Sequence, residues 1–145
     1  MQTHTITQQG KSTLEISIPD WWERLSLPYF EEWLEALRSS KYQQGTEYLC
    51  RFHRYCCLGV LCKIQGRLKE HGDFTWDIYD GEKHSSSFLS PQNPNYPLLF
   101  RDGRIPSVIR ITNGSFDSIP TLTTLNDQGY SFETIAKVIE LIWKA

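Results

Sequence analysis

The chain has 145 residues, a formal net charge of −2 and an isoelectric point near 6.1. That length makes one ordinary domain, which buries roughly 68–70% of its unfolded surface and needs no covalent staples. The near-neutral charge excludes bulk electrostatic attraction to a phosphate backbone, and 13% aromatic residues exclude a disordered body.

No segment reaches the ~18 consecutive apolar residues that a membrane span requires. The first ten residues, Met1 to Gly10, are polar, with neither a cationic start nor an apolar centre, so they do not read as a signal peptide. The expectation is a cytoplasmic protein with reduced cysteines.

Residues 1–13 are read as a flexible N-terminal tail, ahead of a single α+β domain over 14–145. Its expected architecture is short helices packed on a small antiparallel sheet with hairpins. Leu14 to Ile18 alternates apolar and polar residues as a strand does, and Pro19 ends it. Ser26 and Pro28 suggest a helix start, and Phe30, Trp33, Leu34 and Leu37 give that helix one apolar face to about Ser39. Tyr48–Phe52 and Tyr55–Cys57 read as two strands of a hairpin turning at His53-Arg54, which would oppose Cys50 to Cys57. Leu58 to Gly66 reads as a helix. Gly59 inside it costs about 1 kcal/mol relative to alanine, which implies close packing against another element.

Phe74, Trp76 and Ile78 alternate with Thr75 and Asp77 in a β region ending at the Asp80-Gly81 turn. Ser85 to Pro97 is rich in Ser, Pro and Asn, a loop composition, and Phe100 to Arg104 reads as a turn. Pro106 to Thr112 and Thr121 to Gln128 read as short helices. Ser131 caps a last helix that turns Phe132, Ile135, Ala136, Ile139 and Ile142 inward.

The chemistry-bearing residues are sparse. Cys50, His53, Cys56 and Cys62 lack the paired C-x2-C knuckles of structural zinc sites, so no metal and no cofactor is expected. A cysteine among Leu58, Val60 and Leu61 reads as a small buried hydrophobe, and no base stands beside it to make a nucleophile. The reading is of a protein that is not an enzyme. The segment from Gly129 to Ala136 has the look of the first half of a helix-turn-helix. The chain closes on an apolar helix with no basic recognition helix after it, so direct DNA reading is not expected.

Charge is unevenly placed. Residues 15–35 carry six acids against Arg24 alone, whereas residues 51–69 carry Arg51, Arg54, Lys63, Arg67 and Lys69 with no acid. Arginine beside Tyr42, Tyr48 and Tyr55 supplies cations for phosphate and π-faces for bases. Lys41, Tyr42, Gln44, Arg51 and Arg54 are therefore the candidate ligand-binding residues, bordering an anion pocket shared between subunits of a homo-oligomer.

Several segments together resemble a family of small proteins from bacteriophages and their hosts. They are Trp33 to Ser39, Lys41-Tyr42-Gln43-Gln44-Gly45, the run Tyr55-Cys56-Cys57-Leu58-Gly59-Val60-Leu61-Cys62, Ile105-Pro106-Ser107-Val108, and Leu125 to Ile139. That family carries a Gly-x-Gly step where this chain has Gly45-Thr46-Glu47. The resemblance implies a phage counter-defence protein that binds and sequesters a small anionic signal, a nucleotide or cyclic nucleotide. An alternative is a protein–protein inhibitor of a nucleic-acid-guided defence complex, with the acidic 15–35 segment mimicking nucleic acid. A small enzyme or regulator is the third class. The partner is thus a nucleotide-like ligand or a host defence protein, met in the host cytoplasm and not at a membrane.

Overall fold

A computed structural model describes all residues except 73, 97, 100 and 115–117. In chain order the elements are β1 (Gln2–Ile6), β2 (Leu14–Ile18), β3 (Leu25–Ser26), α1 (Phe30–Arg38), β4 (Gln43–Gln44), β5 (Cys50–Arg51), β6 (Arg54–Tyr55) and α2 (Cys57–Ile64). Then come β7 (Leu68–His71), β8 (Phe74–Tyr79), β9 (Glu82–Ser85), β10 (Arg110–Thr112), α3 (Leu122–Asp127), α4 (Phe132–Ile142) and β11 (Trp143–Lys144). This is an α+β fold. One antiparallel sheet runs β1-β2-β10, a larger one runs β4-β6-β5-β8-β7 with β9 also on β8, and β3 pairs with β11. The β4–β6 and β3–β11 pairings are parallel, and the rest are antiparallel.

The helices form where their apolar faces demand burial. Phe30, Trp33, Leu34 and Leu37 are buried along α1, which packs on α4 and α2. The Trp33 indole N–H donates to the Cys57 carbonyl at 3.0 Å, joining α1 to α2. Thr121 and Ser131 cap α3 and α4, accepting from the backbone N–H of Thr124 and Thr134. Cys56 does the same for α2, with its sulfur receiving the Gly59 N–H at 3.3 Å. Gly59 has a concrete reason to be glycine. A Cβ there would collide with the carbonyl oxygen of Leu49, so α2 rests directly on the backbone of the preceding segment.

Several expectations are corrected. The tail expected at 1–13 contains β1, paired with β2 from Gln2–Ile18 to Ile6–Leu14. Only Ile6 of that strand is buried, so hydrophobic patterning does not reveal it. The segment after it is held by polar contacts. Gln8 Oε1 accepts from Ser131 N and Thr134 Oγ1, Lys11 donates to the Gln128 carbonyl, and Tyr130 OH donates to the Ser12 carbonyl.

Ser26 does not cap α1. It lies in β3, its hydroxyl donating to the Ala145 carbonyl, and α1 begins at Phe30 after Tyr29 in a left-handed conformation. The helix expected over Pro106–Thr112 is a single turn, closed by Ile109 N–H on the Pro106 carbonyl, followed by β10. Ile111 there is fully buried and registers with Ile16, so sheet pairing outweighs helix formation. Of the loop and turn expected over 85–104, Pro97 and Phe100 lie outside the described residues.

The larger sheet has an inverted strand. In β8 the polar Thr75 and Asp77 face inward, and Asp77 is fully buried, while Phe74, Trp76 and Ile78 are only half-buried. Asp77 Oδ1 accepts from Arg67 Nε at 2.7 Å and its Oδ2 from Ser90 N at 3.3 Å. A buried carboxylate demands such partners. Asn93 exchanges hydrogen bonds with Gln65, and Asn95 Nδ2 donates to the Pro28 carbonyl. These buried polar contacts, rather than apolar packing alone, pin the Ser/Pro/Asn-rich loop to the body.

Candidate functional site

The hairpin turns one residue earlier than its sequence suggests. Phe52 and His53 occupy the turn with φ of 52° and 61°, giving the register Cys50–Tyr55 and Arg51–Arg54. Both turn positions are left-handed, as in the tight turns that suit hairpins, although neither residue is Gly or Asn. Cys56 therefore caps α2 and Cys57 is its first residue, so the strand pairing of Cys50 with Cys57 does not occur.

This register places two arginines directly opposite one another, an arrangement that is destabilising for like charges. Neither Arg51 nor Arg54 forms an ion pair among the described residues. Instead the Arg51 guanidinium lies 5.1 Å from the ring centroid of Tyr48, 4.9 Å from Phe52 and 5.1 Å from Phe74. Such contacts favour a cation, but they supply no anion. Arg51 Nε is shielded from solvent with no hydrogen-bond acceptor among the described residues. Phe52 is 71% exposed at the tip.

Beside this pair lies a groove of about 360 Å³ lined by Gln44–Tyr48, Arg51, Phe52 and Arg54. Gly45 makes it possible. Its N–H donates to the Tyr55 carbonyl at 2.7 Å, and an added Cβ would stand 2.8 Å from the Cβ of Arg54. Glu47, two residues on, holds a left-handed φ of 71° that glycine would adopt more easily. Its backbone N–H donates to Asp127 Oδ1 at 3.3 Å. The turn thus retains a glycine-like conformation while putting a carboxylate on the groove wall.

The five candidate residues divide between two places. Gln44, Arg51 and Arg54 share the groove. Lys41 and Tyr42 line a separate recess of about 270 Å³ with Glu32 and Glu35. Lys41 lies 5.6 Å from the Tyr42 ring, which packs edge-on against Tyr55 at 5.1 Å. Gln44 faces inward as much as outward. Its amide nitrogen donates to Asn126 Oδ1 at 3.0 Å and to the Tyr130 carbonyl at 2.7 Å. Those donors are spent on the fold and are not open to a base edge.

Sequence reasoning missed Phe52, Phe74 and Glu47 as neighbours of Arg51 and Arg54. Phe52 was assigned to a strand, and Phe74 comes from β8, which only the tertiary pairing of Cys50 with Thr75 brings near. Also missed was the role of Asn126, which is fully buried. It accepts from Cys57 N as well as Gln44 and donates to the Gly45 carbonyl at 2.7 Å, joining α3, α2 and β4. The Asn126-Asp127 pair reads from sequence as a helix-end cap, which does not disclose those long-range partners.

The cysteines serve the fold. All four are free and buried. Burial pushes the Cys56 thiol up to about 11 and the Cys57 and Cys62 thiols well above their usual range. Burial, then Cys50, pushes the Tyr55 hydroxyl up to about 12. These groups stay protonated at neutral pH, which disfavours thiolate chemistry.

A larger recess lies elsewhere, about 830 Å³ between the ends of β1 and β2, the start of α1 and the C-terminal residues. Its rim mixes Asp20, Glu31 and Glu140 with Arg24 and Lys144. Asp20 is taken by the N-terminal amine and Glu140 by Arg38, so no single charge dominates that opening. No helix among the described residues is long and apolar enough to cross a membrane.

A family model described as "Domain of unknown function (DUF8296)" matches residues 29–142, a stretch that contains the whole hairpin groove. No curated protein and no solved structure matches the chain.

Proposed function

We propose that this chain, which belongs to the DUF8296 family, binds and sequesters a small anionic nucleotide in the hairpin groove. The observation that carries this reading is the facing pair Arg51 and Arg54, without a carboxylate partner among the described residues, with Arg51 set among aromatic rings. A bound phosphate relieves the repulsion between the two guanidiniums and accepts charge-assisted hydrogen bonds from them. The exposed ring of Phe52 offers a stacking face to a base.

Charge selects among nucleotides. Arg51, Arg54 and Glu47 together contribute a net +1 to the groove walls (two cations less one anion). That suits the single negative charge of a cyclic phosphodiester better than the several charges of a triphosphate. Sequestration without turnover is the activity expected of a counter-defence protein that removes a signal. A second reading has its own support. All six acids of residues 15–35 are exposed, an acidic surface suited to a protein partner that ordinarily holds nucleic acid.

Native mass spectrometry of the purified protein, alone and with cyclic and linear nucleotides, tests the first reading. A retained cyclic nucleotide at a fixed ratio to the chain supports it, and the same spectra report whether binding joins two copies. Absence of any nucleotide adduct at micromolar ligand shifts the reading to a protein partner.

A further inference from the structure

A second recess with a cation on its wall is formed by different residues. It lies between the end of β9 and the loop after it, with a volume of about 260 Å³. Its lining includes His84, Ser85, Phe88, Tyr96 and Arg101, and no acid among the described residues. The Arg101 guanidinium stands 4.9 Å from the centroid of the Phe88 ring. Arg101 is exposed and makes no ion pair among the described residues.

The walls are fixed. Ser85 Oγ accepts from the backbone N–H of Ser87 and Phe88, holding Phe88 in a tight turn with its ring 39% exposed. Leu89 is buried and its N–H donates to the Arg101 carbonyl at 2.8 Å, joining the two sides. Ser90 N is anchored on Asp77, itself paired with Arg67. The Phe88 ring is thus held in place and keeps part of its surface open beside a cation, which gives an aromatic anion both a ring and a charge to meet.

We propose that this recess is a second ligand site, independent of the hairpin groove, for a phosphate monoester carried on one planar ring. Arg101 takes the phosphate as a planar guanidinium does, by paired hydrogen bonds. His84 also lines the recess, and a ring on the ligand stacks on Phe88. The volume suits one ring and one phosphoryl group, not a dinucleotide. Two sources share that chemistry, a nucleoside monophosphate and a small aryl phosphate.

Amide chemical-shift mapping of the full chain tests the proposal with four probes: a pyrimidine nucleoside monophosphate, phenyl phosphate, inorganic phosphate and the parent nucleoside. The expected result is a saturable shift of residues 84–90 and 101 with the first two. Inorganic phosphate and the nucleoside should each bind at least about tenfold more weakly. Preference for phenyl phosphate over the nucleotide assigns an aryl ligand, and the reverse assigns a nucleotide. Arg101→Ala and Phe88→Ala, both at exposed positions, should each weaken binding about tenfold or more, while Arg51→Ala leaves it unchanged. Saturable shifts confined to the hairpin overturn the proposal, as do no shifts at all or equal affinity in Arg101→Ala. Shifts confined to the hairpin would favour the groove of Arg51 and Arg54, whereas the other two outcomes leave that reading as it stands.

Discussion

The stretch from Gln44 to Tyr55 has two sides that treat polar groups in opposite ways. On the inner side, Asn126 uses its amide on Gln44, Gly45 and Cys57, and Gln44 spends both its donors there. On the outer side, Arg51 and Arg54 face each other, Arg51 among aromatic rings, and neither meets an anion among the described residues. The inner side is satisfied within the chain, whereas the two outer guanidiniums have no carboxylate partner among the described residues. Polar residues that hold a fold are satisfied by it, whereas polar residues left at mutual expense point to something outside it.

Breaking the inner side should have the largest effects. Gly59→Ala forces a methyl into the Leu49 carbonyl, between two backbones that cannot easily separate. A loss of about 4 kcal/mol or more is expected, at the extreme of single substitutions, and urea unfolding would measure it. Asn126→Ala removes the partner of three groups at once and should cost about 3 kcal/mol by the same measurement. If Asn126→Ala is as stable as wild type, the inner node does not hold these elements together.

Alkaline pH attacks the same region more gently. The Cys56 thiol has its usual value of 9.0 in the unfolded chain and about 11 in the fold. Between those values the unfolded state has released a proton that the folded state still holds, so stability falls as pH rises. Stability should be unaffected by this thiol below about pH 9 and should decline from there to about 11. At pH 8 the four buried thiols should resist a disulfide exchange reagent until denaturant is added.

Glu47 sharpens the comparison because it belongs to both sides. Its left-handed backbone costs roughly 1 kcal/mol that glycine would not incur. Glu47→Gly should therefore raise stability by about 1 kcal/mol in thermal or urea unfolding. The same change removes the one carboxylate on the groove wall among the described residues and should shift ligand preference toward more highly charged nucleotides.

Much of the inner side was legible in the sequence. The apolar periods of α1, α2 and α4 gave Trp33, Leu37, Leu58, Leu61, Ile135 and Ile139 as core, and each is buried. The Thr121–Gln128 and Ser131 helices were marked by their caps, and Gly59 announced a close approach. The errors arose where long-range pairing decides. β1 carries one buried side chain and exists through its bonds to β2, and β10 is a strand because Ile16 waits opposite Ile111. In β8 the polar residues turn inward because Arg67 and Ser90 meet Asp77 there, so the alternation gave the strand but not which face is buried. The groove was partly legible. Arg51 and Arg54 stand together, yet Lys41 and Tyr42 fall in another recess, and Phe74 reaches Arg51 only through the pairing of β5 with β8.

The central claim is that the outer side is completed by an anionic nucleotide. Calorimetric titration of cyclic nucleotides into wild type, Arg51→Ala and Arg54→Ala tests it most directly, with Arg101→Ala as the control. Saturable binding to wild type is expected, weakened about ten- to a hundredfold by either groove substitution and unchanged in the control. Arg54→Ala, at an exposed position, should alter stability by no more than about 0.5 kcal/mol. No heat of binding at micromolar wild-type protein, or equal affinity in all four proteins, would contradict the account.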